Sequence, residues 1–317
     1  MNTLQNIHKY LFSGLSVEHK ERLGELRRYR PWGQRGCGTP LIAMVDGTTF
    51  HGGLCDRWKG IVSLYAWCKA TGRDFRIHYT WPFHLEQFQI PAQHEWRIAN
   101  EDICRRLGRV KLMRLTGDST LNRMHDIPAD KQIHAYANRD WVELINRTYG
   151  TSYRWGELYQ KLFRPTSWVE QQLRSFPKPR TYIGVAFRMQ NLLGDYREYD
   201  YQPTDPRRQK ELLELCRTYV EQLHYTEQSP ILVTSDSKRL IEALRDLPYI
   251  YVTSLQGVHP DTDDQATKEA YGKAFVDFYA LAGARQIYAP VWEGMYASDF
   301  PYYASLLGGV PFERFRS

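Results

Sequence analysis

Short apolar runs alternate with helix-length segments along nearly all of this 317-residue chain, and that alternation limits the folds open to it. The strand candidates are Leu41–Val45, Asp74–Thr80, Val110–Leu115, Ile133–Ala137, Thr181–Phe187, Ile231–Thr234, Tyr249–Val252 and Gln286–Ala289. Apolar spacing predicts helices over Leu54–Ala70, Asp140–Arg147, Trp155–Phe163, Ser167–Phe176, Asp205–His224, Lys238–Leu247, Thr267–Ala282 and Phe300–Leu307. Short apolar strands separated by helices are the pattern of parallel sheets in α/β proteins. The best break in the chain is Phe176-Pro177-Lys178-Pro179-Arg180, where two prolines favour an extended connector before a new strand. It divides the chain into units 1–176 and 177–317, each of ordinary domain size. The expectation is two Rossmann-like, doubly wound α/β units facing a central cleft. Ligands of such sheets bind beyond the carboxyl ends of the strands.

Composition narrows the function classes. A hydrophobic content of 42% is ample for buried cores and argues against disorder. No apolar run is long enough to span a bilayer, and Met1–Asn6 lacks the layout of a secretory signal, so the expected location is the cytoplasm. The five cysteines are scattered and read as reduced thiols; with no C-x-x-C and no H-x-x-x-H pair, zinc and haem sites are not expected. A net charge of +6 favours anionic partners without being a nucleic-acid binder's signature. Lys20, Arg22, Arg27, Arg28, Arg30 and Arg35 concentrate part of that charge. The segment Ser16–Arg28 reads as a capped, solvated helix whose Glu18, Glu21 and Glu25 pair with the bases. Its other reading, with Tyr29-Arg30-Pro31-Trp32, is peripheral contact with an anionic membrane surface.

Several passages suit an anionic ligand. His51-Gly52-Gly53-Leu54-Cys55-Asp56-Arg57-Trp58-Lys59-Gly60 lies between an apolar strand and a helix, which allows close backbone approach and aims a helix N-terminus at an anion. The bland alternative is that Gly-Gly merely makes the turn. Strand Thr181–Phe187 runs straight into Arg188, a fork-shaped cation suited to phosphate. Asp236, at the end of the next strand, suits a ribose or base, or caps the following helix with Ser235 or Ser237. Asp277 sits among apolar residues of a helix, where a carboxylate needs a partner. Ser298-Asp299 before Phe300-Pro301 marks another helix start. Four such features in the second half place an anion there, with the glycine loop as the facing lip. Tyr79, Trp81, Phe83 and Trp96 read as core residues, or as the floor of an acceptor-sugar groove.

In order and spacing, four passages resemble the GDP-fucose-dependent fucosyltransferases of the GT-B fold. The group holds α1,6-fucosyltransferases, the nodulation fucosyltransferase and protein O-fucosyltransferases. Gly52-Gly53-Leu54-Cys55-Asp56-Arg57, preceded by His51, is similar to the group's G-G-x-x-[DN]-[RQ] loop. Val185-Ala186-Phe187-Arg188 is similar to its H-x-R strand end, whose arginine holds the diphosphate. Val233-Thr234-Ser235-Asp236 is similar to the A-T-D strand end that reads the nucleoside. Asp277-Phe278-Tyr279-Ala280-Leu281, with Ser298-Asp299-Phe300 downstream, is similar to its last two helical motifs. The resemblance implies inverting transfer of fucose from GDP-fucose to a glycan hydroxyl, with no metal and no further cofactor. It casts Arg188 and the helix start at Ser298 as the groups that stabilise the leaving diphosphate. Departures are Ala186 for the usual histidine, Met189 for a second arginine and Asn191 for the usual acid. The general base is then Asp195, favoured by its flexible Gly194 neighbour, or Glu198, which nothing in the sequence excludes. The triplet Asp261-Thr262-Asp263 reads as a solvated turn in preference to a metal site. Two other readings stay open: a GT-B transferase using another nucleotide sugar, and a non-catalytic nucleotide-sugar or glycan binder.

Overall fold

The computed structural model describes residues 28–116, 127–196, 198, 202–260 and 266–316. Strand β1 (Leu41–Val45) is buried at every position, as an unbroken aliphatic run inside a parallel sheet must be. After the Gly52-Gly53 turn, helix α1 (Leu54–Thr71) starts on an extended Gly53 and stops at Gly72, whose φ of +68° is the left-handed C-terminal stop that glycine adopts readily. It returns the chain to β2 (Phe75–Tyr79), parallel to β1 with Leu41 opposite Phe75. The short β3 (Gln89–Pro91) leaves this sheet; β4 (Val110–Leu115) and β5 (Gln132–Ala137) complete it in the order β2-β1-β5-β4. Gly60 of α1 lies so close to the end of β5 that a Cβ there would run into the Ala137 carbonyl oxygen.

Helices α2 (Val142–Tyr149) and α3 (Trp155–Leu162) follow, then β6 (Phe163–Pro165), which pairs antiparallel with β3, and α4 (Ser167–Leu173). The second sheet starts with β7 (Ile183–Phe187). Helix α5 (Pro206–Glu227), capped by Asp205, leads to β8 (Ile231–Ser235), and α6 (Lys238–Leu244) leads to β9 (Ile250–Tyr251). Helix α7 (Lys268–Gly283), β10 (Gln286–Val291), α8 (Phe300–Gly308) and β11 (Phe312–Arg316) complete it. The order β11-β10-β7-β8-β9 is all parallel. Its winding reverses between β7 and β10, and that switch point is where open α/β sheets bind ligands.

The α/β expectation with two parallel sheets therefore holds. Three strands lie outside the sequence reading: β3, β6 and β11, the last carrying three charges in five residues. The core is less divided than the sheets are. Trp58 of α1 is fully buried against Phe278 (ring centroids 4.3 Å apart), Phe275 (5.5 Å) and Tyr159 (5.6 Å), so α7 packs into the apolar cluster of the first sheet. No helix among the described residues is long and apolar enough to cross a membrane. Lys20, Arg22, Arg27 and the rest of Ser16–Arg28 before Arg28 lie outside the described residues, as does Asp261-Thr262-Asp263.

Candidate active site

A cleft of about 380 Å³ opens over the carboxyl ends of β7, β8 and β10 and is closed from the other side by the Gly52-Gly53 turn and α1. The parallel register sets Phe187 opposite Ser235, so the next residues, Arg188 and Asp236, meet across the strand ends. Arg188 Nη1 donates to Asp236 Oδ2 at 2.7 Å, Nη2 donates to Glu198 Oε2, and the guanidinium lies 5.1 Å from the Tyr196 ring centroid. Burial works against the charge on Arg188, but Asp236, Tyr196 and Glu198 more than offset it and raise its pKa. The cation is permanent.

Asp236 is not the cap of the helix that follows it. Ser237 caps α6, accepting from the Leu240 amide at 3.1 Å. Asp236 accepts from Arg188 and from the backbone N–H groups of Met189 (2.8 Å) and Gln190 (2.7 Å). It thereby holds a tight turn in which Gln190 has φ +49°. Its role here is to fix Arg188.

Of the two candidate bases, Asp195 lies away from the cleft, accepting from Ser237 Oγ at 2.9 Å and the Arg239 amide at 2.7 Å. Glu198 lines the cleft and is 7% exposed. Burial raises its pKa, Arg188 opposing, and its Oε1 lies 3.6 Å from His259 Nε2. Burial holds the His259 pKa at about 3, with Arg188 and Arg57 pushing the same way. The imidazole is neutral, and its contact with Glu198 is not ionic. His259 also spans the cleft, 3.7 Å from where a Gly53 Cβ would lie.

Gly52 has φ +82°, and a side chain there would crowd Asp56 Oδ2 at 2.6 Å. Asp56 in turn holds Lys59 Nζ at 2.6 Å, and Lys59 reaches Asp299 across the cleft at 3.4 Å. Ser298 Oγ accepts from the Phe300 amide at 3.2 Å at the start of α8. Asp277 has the partner its burial demands: Lys273, one turn earlier, which also donates to the Ser235 carbonyl at 2.8 Å. Burial raises the Asp277 pKa against the pull of Lys273.

Gly52, Gly53, Asp56 and Arg188 thus share one cleft with Glu198, Asp236, Asp277, Ser298 and Asp299. His51 and Arg57 do not line it. His51 is buried with Nδ1 2.8 Å from the Thr49 carbonyl, and Arg57 is buried, donating to the Tyr79 hydroxyl at 2.8 Å and the Trp81 carbonyl at 3.0 Å. Both brace the loop. Tyr79, Phe83 and Trp96 are core residues, and Trp81 packs on Gly47 and Arg57. The sequence reading missed Lys59, Lys273, Tyr196, His259 and two exposed aromatics on the cleft rim, Phe50 and Tyr296. Lys59 and Lys273 had a signal, since each lies three or four helical positions from a carboxylate. A larger hollow of about 860 Å³ lies at the amino ends of the first sheet's strands. Its Arg73 is committed to the Thr39, Pro128 and Lys131 carbonyls, and none of the chemistry above reaches it.

No protein-family profile matches the chain, and no curated protein matches it. Solved structures do. An arginine-to-lysine mutant of Arabidopsis thaliana FUT1 in complex with GDP has a TM-score of 0.56 at 15% identity, covering 98% of this chain and 77% of that one. NodZ alpha-1,6-fucosyltransferase co-crystallized with GDP has a TM-score of 0.52 at 13% identity, covering 88% of this chain and 96% of that one. The chain has the two-sheet GT-B fold of these proteins.

Proposed function

We propose that the protein is an inverting glycosyltransferase that transfers fucose from GDP-fucose to a hydroxyl of a glycan acceptor, with 177–317 as the donor unit and 1–176 as the acceptor side. The observation that carries this reading is Arg188, fixed by two carboxylates at the switch point of the second sheet, facing a glycine turn. Two proteins of the same fold that were solved with GDP support the choice of nucleotide.

Charge compensation for the leaving diphosphate falls to Arg188 and the N-terminal end of α8. A guanidinium has five N–H donors, more than the two carboxylates occupy, so Arg188 meets phosphate without losing Asp236. The acceptor oxygen attacks the anomeric carbon from the side opposite the diphosphate, the bond to the phosphate oxygen breaks, and GDP departs. Glu198 is the base that takes the hydroxyl proton. Its raised pKa suits that task, and Oε1 lies 3.6 Å from a neutral imidazole. The acceptor sugar enters between Phe50 and Tyr296, whose exposed rings offer apolar faces to a pyranose. A cytoplasmic location, with a surface-polysaccharide precursor as acceptor, accords with this reading.

Thermal shifts with GDP, UDP, ADP and CDP test the donor. The largest shift is expected with GDP, and a larger one with UDP overturns the fucose assignment. Acceptor-independent hydrolysis of GDP-fucose, lost in Arg188→Ala with folding retained, tests catalysis. Tight binding of GDP-fucose without turnover on any acceptor would leave a binding protein instead. Unchanged turnover in EDTA is expected, because the proposed compensating charges are side chains and helix N–H groups.

A further inference from the structure

Among the described residues lining the cleft, Lys59, Arg188 and Lys273 are the lysines and arginines, and each is paired with carboxylate. The pairs differ in what remains if the cation turns to a ligand. The partners of Arg188 are Asp236 and Glu198, with side chains 5% and 9% exposed, and the partner of Lys273 is Asp277, 9% exposed. Losing the cation would leave each of these buried carboxylates without its counter-charge, which is strongly unfavourable. The partners of Lys59 are Asp56 and Asp299, 39% and 49% exposed, and water solvates both. Asp299 also has a second cation, Arg314, at 3.5 Å. Lys59 is therefore the cleft cation that is cheapest to redirect. Burial lowers its pKa, but the hydrogen bond and charge of Asp56 outweigh that, so it stays protonated.

Its position suits a ligand that runs from one unit to the other. On the donor reading, Asp236 after β8 and Asp277 of α7 are the polar partners for the nucleoside end, which leaves α8 and α1 to the far end of the diphosphate. There Asp299, the N-cap of α8, makes no side-chain hydrogen bond to its own helix, and its Oδ2 lies 3.4 Å from Lys59 Nζ beside that helix N-terminus. We infer that Lys59 is a donor-binding residue. It exchanges Asp299 for the distal phosphate of a nucleoside diphosphate and keeps Asp56 as its anchor. This rests on the donor reading above. It supplies from the facing unit the second phosphate cation that Met189 does not provide.

Isothermal titration of the full chain with GDP and GMP separates the two ideas. Wild type is expected to bind GDP more tightly than GMP. Lys59→Gln should lose roughly tenfold or more on GDP, the usual scale for a charge-assisted hydrogen bond, with little change on GMP. Lys59→Arg should keep most of the GDP affinity. Asp299→Asn, which removes the competing anion, should tighten GDP and leave GMP unchanged; it also serves if Lys59→Gln does not fold. Equal losses on both nucleotides in Lys59→Gln, no loss on GDP, or weaker GDP binding in Asp299→Asn each overturn the role of Lys59 while leaving the donor reading intact. Wild type binding neither nucleotide overturns the donor reading, and the role of Lys59 with it.

Discussion

Arg188 and Glu198 touch one another yet carry opposite expectations. Arg188→Ala removes the cation from the switch point and leaves Asp236 and Glu198 facing each other, so both GDP binding and turnover should be lost. Glu198→Gln keeps a hydrogen-bonding side chain beside Arg188 but cannot accept a proton. Turnover should fall about 10²–10⁴-fold with GDP affinity nearly unchanged, measured by GDP-fucose hydrolysis and titration. The pH profile follows from burial. As the proposed base, Glu198 works only when ionised, and its pKa lies above the usual 4.5, so kcat/KM should drop as pH falls through that raised value. An acid limb at or below 4.5 would take Glu198 out of the role. Legibility at this scale was uneven. Arg188 could be found because it directly follows an apolar strand, whereas the job of Asp236 depends on amides 46 and 47 positions away. Only the β7–β8 register brings them together, and no local pattern encodes a register between distant strands.

Helix α1 was readable almost to its ends because the stretch Ile61–Cys68 is apolar except for Ser63 and glycines flank the helix. Its closeness to β5 was not readable, since a helical glycine shows nothing of what lies beyond it. Gly60→Ala is expected to push α1 off the Ala137 carbonyl and lower stability by about 1–3 kcal/mol, read as a drop in Tm. An unchanged Tm would mean the contact is not tight in solution. Ser237→Ala should cost about 1 kcal/mol by removing the cap of α6, and it also releases Asp195. Helix α6 ends at Leu244, short of the predicted Leu247, which fits the restriction that Pro248 places on the residue before it. Strand β11 escaped notice because its Glu313, Arg314 and Arg316 break any apolar run. It is an edge strand, where charge is tolerated and discourages pairing with other chains.

At the scale of the whole molecule, burial withdraws four imidazoles among the described residues from protonation. His51 and His78 sit at about 4, and His134 and His259 at about 3. Below the ordinary 6.5 the unfolded chain binds protons that the folded chain refuses, so stability is complete above that pH and is lost as pH falls toward the folded values. Each group contributes up to about 1.4 kcal/mol per pH unit in that window. Burial of Asp140, Glu198 and Asp277 raises their pKa values and works in the opposite sense. Urea unfolding should therefore show lower stability at pH 5 than at pH 7, and equal values would contradict the burial of these rings. The fragment 177–317 should fail to fold alone, because Phe275 and Phe278 would lose Trp58, Tyr159 and Phe88. A sharp cooperative melt of that fragment would argue against a shared core.

The aromatic seam around Trp58 also bears on how proteins of this fold could be recombined. A chimera joined at Pro177 would take its second half from one parent and its first half from another, as the linker invites. The seam would then set α7 of one parent against α1 and α3 of the other, mismatching the rings of Trp58, Tyr159, Phe275 and Phe278. Shuffling of acceptor preference should succeed only when those contact residues travel with the first half, or when exchange is confined to the rim loops that carry Phe50 and Tyr296.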